Sequence, residues 1–88
     1  MTSKLWIIDD EESIRTICKS ALEQDFDIEM FPNASEALLA LNTSVPDLII
    51  TDIKMPGMNG IDFLNKVSAK HPNIPTIAVS YTHLRAHE

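Results

Sequence analysis

Three carboxylates stand where chemistry could be done. Asp9 and Asp10 close the short apolar run Lys4-Leu5-Trp6-Ile7-Ile8, and Asp52 closes a second run, Leu48-Ile49-Ile50-Thr51. Open α/β sheets bind ligands at the carboxyl ends of their strands, so acids in these places are candidates for a site. If the two strands are neighbours, the three side chains converge at one edge of the sheet. Unit charges about 4 Å apart repel by roughly 4 kcal/mol at an effective dielectric near 20, and such a cluster invites a counter-ion. An all-oxygen set with few protein ligands and open positions suits Mg2+, which keeps several waters and often bridges to phosphate oxygens. A metal there would offset the charge of a phosphoryl group passing to a carboxylate, with Asp52 as candidate nucleophile and Asp10 as metal ligand. Singly, each aspartate has a plainer reading, as the end of a strand or the start of a turn. The repetition, an acid after each of two aliphatic strands about forty residues apart, favours one shared site.

The elements that must position these acids can be read in order. The run ending at Ile8 suits a parallel strand buried on both faces. From Ser13 to Gln24, Ile14, Ile17, Cys18, Ala21 and Leu22 recur at helical spacing and predict a helix with one buried face. Glu11 and Glu12 at its start are explained by the positive end of the helix dipole as well as by metal binding. Phe26, Ile28, Met30 and Phe31 alternate with Asp27 and Glu29, as in an edge strand with one solvated face. Asn33, with Glu36 three residues later, resembles a capping box opening a helix striped by Ala34, Ala37, Leu38 and Leu41. Asp47 opens the strand that delivers Asp52. Pro56-Gly57 and Asn59-Gly60 read as turns before a helix carrying Ile61, Phe63, Leu64 and Val67, which His71-Pro72 ends. Pro75 to Val79 reads as a fourth strand. Strands alternating with helices predict a parallel sheet with right-handed crossovers.

The bulk properties narrow the function classes. Eighty-eight residues make one domain at most, in the range where a single core is only modestly stable. Thirteen acidic against seven basic side chains, a net charge of -6, argue against direct nucleic-acid binding, which needs clustered Lys and Arg, and fit a domain that holds a cation. The single cysteine, Cys18, cannot form an internal disulfide, and its helical spacing reads as core. Only four apolar residues separate Lys4 from Asp9, too few for a signal peptide, and no run reaches membrane-spanning length. A soluble, cytoplasmic protein with no membrane contact is expected.

The segments LWIIDDEE (Leu5 to Glu12) and DLIITDIKMPGMNG (Asp47 to Gly60), with the helix and proline-bounded strand that follow, resemble the response regulator receiver domain of two-component signalling. The resemblance runs from about Lys4 to Ile77. It implies a flavodoxin-like, doubly wound parallel sheet of strand order 2-1-3-4, with Asp52 as phosphoacceptor, Asp9 and Asp10 as the acidic pocket for Mg2+, and the Lys54 backbone carbonyl completing the metal site. The phosphodonor would be a sensor histidine kinase, and the domain a substrate and switch rather than an enzyme. Trp6, the Ser13-Ile14-Arg15 helix start and His71-Pro72 look most like the nitrogen-regulator class, in which the receiver controls a sigma-54 ATPase module and a DNA-binding domain.

The chain departs from that pattern at its end. The family's fifth strand and its helices 4 and 5 are expected to be missing, and no lysine follows Lys70 to serve as the family's phosphate contact. Right-handed winding then leaves the first helix nearly alone on its face and the fourth strand as an open edge. Ser80 aligns with the switch hydroxyl. Residues 79–88, however, are what translation of GTC TCT TAT ACA CAT CTC CGA GCC CAC GAG would give, a sequence that resembles a reading frame of a transposon-derived sequencing-library adapter. The domain reading is therefore a truncated receiver over residues 1–78 and non-native read-through over 79–88, in which His83 and His87 carry no metal-site meaning. Two alternatives remain at this stage. One is a degenerate receiver acting by protein contact only. The other is a Mg2+-dependent phosphohydrolase of haloacid-dehalogenase type, whose D-x-D-x-T motif the Asp9-Asp10-Glu11-Glu12 run lacks.

Overall fold

The computed structural model describes residues 2–79. Strand β1 (Ser3–Ile8) is followed by helix α1 (Glu12–Leu22), β2 (Phe26–Phe31), α2 (Ala34–Ala40), β3 (Leu48–Asp52), α3 (Gly60–Lys70) and β4 (Thr76–Val79). The strands form one parallel sheet in the order β2-β1-β3-β4, the flavodoxin-like arrangement expected from the sequence. β1 lies at the centre, and its Leu5, Trp6, Ile7 and Ile8 are all buried. β2 is an edge strand with Asp27 and Glu29 exposed, and β4 is the other edge among the described residues. At the far end of the sheet from the acids, Asp47 ties the starts of β1 and β3 together. Its Oδ2 accepts from the Lys4 N–H at 2.7 Å, and its own N–H donates to the Lys4 carbonyl at 2.8 Å.

Register sorts the side chains by face. Trp6 pairs with Ile49 and Ile8 with Phe31, so these residues share one face, which α2 and α3 cover. There Trp6, Ile8, Phe31, Ala37, Ile49, Phe63 and Val67 form one continuous core, with the Trp6 and Phe31 rings 4.8 Å apart and tilted by 59°. The other face carries an aliphatic ladder, Met30-Ile7-Ile50-Ile77, across all four strands. Right-handed crossover places α1 on this face, against β1 and β2. From β1 toward β4 exposure rises: Ile7 is 2% exposed, Ile50 half-buried, and Ile77 47% exposed.

The expected buried face of α1 is corrected by the structure. None of its residues is buried: Ile14, Cys18 and Leu22 are half-buried, and Ile17 is 63% exposed. The helical period is right. Among the described residues α1 is the one helix on this face and covers only its own footprint, so Cys18 is half-buried at its margin rather than in a core. The adapter reading touches this structure only at Val79, since residues 80–88 lie outside the described ones.

Candidate functional site

The three acids meet because of strand register. β1 and β3 pair through Ile8 and Thr51, so continuing by one residue sets Asp9 beside Asp52. One carboxylate oxygen from each of Asp9, Asp10 and Asp52 lies within 4.8 Å of the other two. Asp9 and Asp52 are each 1% exposed, whereas Asp10 is exposed. At that spacing and an effective dielectric near 20, the two buried charges repel by roughly 3–4 kcal/mol, a penalty that a shared cation would relieve. Glu11 and Glu12 stay out of the cluster. Glu11 is the N-cap of α1, where its side chain makes no capping bond, and Glu12 sits in the first turn, as the dipole reading allows.

The two buried acids are held by the backbone around them. The Asp9 N–H continues the β1–β2 ladder to the Phe31 carbonyl at 3.1 Å, and its Oδ1 accepts from the Glu11 N–H at 2.9 Å. Asp52 is the last residue of β3, in register with Val79, rather than the first residue of a turn. Its Oδ1 faces the Lys54 N–H at 3.4 Å, at the outer limit for a hydrogen bond. Beside the acids, Asp10, Asn33, Ser35, Pro56, Gly57 and Met58 contribute to the lining of a cleft of about 430 Å³.

The loop after Asp52 is shaped by two glycines with different roles. Gly57 has φ +77°, the left-handed conformation expected after Pro56 in a type II turn. Gly60 was expected to mark a turn with Asn59, but it is the first residue of α3, and Asn59 is the cap, its Oδ1 accepting from the Asp62 N–H at 2.9 Å. A Cβ on Gly60 would fall 2.2 Å from the Asp52 carbonyl oxygen. Its N–H donates to the Ile53 carbonyl at 2.8 Å, so α3 begins pressed against the backbone that carries the acceptor candidate. The expected cap at α2 is present, with Asn33 Oδ1 accepting from the Glu36 N–H at 2.9 Å, while the reciprocal bond of a capping box is replaced by one between side chains, Asn33 Nδ2 donating to Glu36 Oε2 at 3.2 Å.

The structure thus brings Asp9, Asp10 and Asp52 together and places Lys54 two residues beyond, exposed, on the same loop. Ser80 lies outside the described residues. Arg15 was not foreseen as part of the site: its Nη1 donates to the Asp9 carbonyl at 2.7 Å. Comparison with known proteins follows the same lines. A sequence model described as the response regulator receiver domain matches residues 5–87.

The chain belongs to the response regulator receiver domain family.

Among relatives of this receiver, the DNA-binding transcriptional regulator NtrC of Klebsiella pneumoniae is 38% identical over 76 residues, which cover 85% of this chain and 16% of that protein. A protein-glutamate methylesterase/protein-glutamine glutaminase of Rhodopseudomonas palustris is 40% identical over 80 residues, covering 88% of this chain and 22% of that protein. The chain therefore spans about a fifth or less of the length of these curated relatives. Among solved structures, the receiver domain of the Francisella response regulator 1452 superposes with a TM-score of 0.83 at 30% identity, covering 90% of this chain and 66% of that one. Among the described residues, no helix is long and apolar enough to cross a membrane.

Proposed function

We propose that this receiver accepts a phosphoryl group on Asp52 from the phosphohistidine of a sensor histidine kinase. An Asp52 carboxylate oxygen forms the new O–P bond as the donor's P–N bond breaks, and the electron pair remains on the imidazole nitrogen, which takes a proton from solvent. The observation that carries this reading is the convergence of the buried Asp52 with Asp9 and Asp10 at the carboxyl end of the central strands.

The donor set fits Mg2+: the cluster is all carboxylate oxygen, with one acid exposed and two buried. One oxygen from each acid lies within 4.8 Å of the other two, close enough for the three to share one cation. Asp9, Asp10, Asp52 and the Lys54 backbone carbonyl would hold the ion, and when bound it would offset the charge of the acids and of the incoming phosphoryl group. The chain's own contribution is positional. β3 presents Asp52, the Lys54 N–H faces one of its oxygens, and Gly60 lets α3 brace the Asp52 backbone.

In this role the chain is a substrate and switch rather than an enzyme, working in the cytoplasm. The likeness to NtrC, a DNA-binding transcriptional regulator, supports a transcriptional output, and the resemblance to the nitrogen-regulator class implies a sigma-54 ATPase module and a DNA-binding domain in the full-length parent. Residues 79–88 are read as adapter-derived. The family match extends through this segment to residue 87, so a genomic continuation that encodes the tail without adapter would remove that reading.

Incubation with acetyl phosphate and Mg2+, followed by intact mass measurement on the chain and on its full-length parent, tests the acceptor. One phosphoryl addition is expected, absent from Asp52→Ala. An addition that persists in Asp52→Ala would remove the assignment.

A further inference from the structure

We infer that Arg15 is a positioning residue that sets the conformation of the Asp9–Asp10 turn and thereby the direction in which the acidic pair faces its ligand. Three polar groups of Asp9 are anchored separately. Its N–H is bound to β2 through the Phe31 carbonyl at 3.1 Å, and its Oδ1 is bound to the Glu11 N–H at 2.9 Å. Its carbonyl belongs to the peptide that leads into Asp10, and Arg15 Nη1 holds that oxygen at 2.7 Å. A turn of this peptide would swing the Asp10 side chain, which is exposed and takes its direction from the backbone.

Three features make Arg15 suited to the task. A guanidinium is charged at every working pH, and its hydrogen bonds are shorter and stronger than neutral ones. Arg15 is half-buried, and its own N–H donates to the Glu11 carbonyl at 3.2 Å, so one residue closes the first turn of α1 and grips the loop before it. Finally, α1 has no buried residue, so apolar packing alone holds the helix start loosely. The permanent positive charge also lies beside the peptide joining two of the three acids, where it opposes their mutual repulsion.

The consequence for metal binding rests on the Mg2+ reading above, and two readouts separate the two ideas. In the metal-free 88-residue chain, amide hydrogen exchange at Glu11 is expected to accelerate at least tenfold in Arg15→Met, with β1 amides unchanged. In a titration with Mg2+ alone, Arg15→Met is expected to weaken binding about tenfold, the scale seen when a group that orients metal ligands is removed. Arg15→Lys is expected to recover part of both losses. Cys18→Ala, which loosens the α1 seam without touching the turn, is expected to lower stability while leaving Mg2+ affinity unchanged. If Glu11 exchange in Arg15→Met matches the parent, or Cys18→Ala weakens Mg2+ as much as Arg15→Met does, the positioning role is wrong. If no form binds Mg2+ but Glu11 exchange still responds to Arg15→Met, the metal reading fails and the turn-setting role stands.

Discussion

Both faces of the sheet carry apolar residues across their strands, but the two are not equally covered. Under α2 and α3, Trp6, Phe63, Ile49 and Val67 are at most 1% exposed. Under α1 the ladder opens outward, from Ile7 at 2% to Ile77 at 47%, and the helix itself buries nothing fully. The acidic site sits on the seam between these regimes. Asp52 is braced from the dense side, where α3 begins against its carbonyl; the peptide joining Asp9 and Asp10 is gripped from the thin side by the Arg15 guanidinium, beside the bonds that Asp9 makes to Phe31 and Glu11. Where apolar packing is plentiful it positions the acceptor; where it is scarce a charged contact does so.

That contrast can be broken or sharpened by substitution. Phe63→Ala, in the dense core, should remove about 3–5 kcal/mol, a large share of a small domain's stability, read as a shift in the urea midpoint at constant slope. Gly60→Ala should lose about 1–3 kcal/mol, because backbone rather than a flexible side chain blocks the added methyl, and phosphorylation at Asp52 should fall further than stability does. Ile17→Ala should change stability by less than about 0.5 kcal/mol, as expected for a surface position. A loss above about 1.5 kcal/mol at Ile17 would mean that the thin face is covered in solution, and the contrast between the faces would collapse.

Much of this was legible in the sequence, for identifiable reasons. The alternation of strands and helices and the Asn33–Glu36 cap follow from local patterning, whereas the strand order, and with it the meeting of the three aspartates, is what the family resemblance implied. Periodicity tells which side of α1 turns inward; how deeply that side is buried depends on how many helices share the face, and the near-isolation expected from right-handed winding is what leaves it only half-buried. Gly60 was misjudged because Asn-Gly is a local turn signal, whereas its actual constraint is a long-range approach to Asp52. Arg15 was missed because a cation within a helical pattern reads as solvated, and nothing local reveals that its side chain reaches back six residues to the Asp9 carbonyl.

The central claim, that the three acids form one phosphoacceptor site with Asp52 as the acceptor, is tested most directly by locating the acyl phosphate. After reaction with acetyl phosphate and Mg2+, borohydride reduces a phosphorylated aspartate to homoserine, which peptide mass mapping can place. The account predicts homoserine at position 52, with yield falling when Asp10→Asn is introduced. Homoserine at position 9 or 10, with position 52 unmodified, would contradict it.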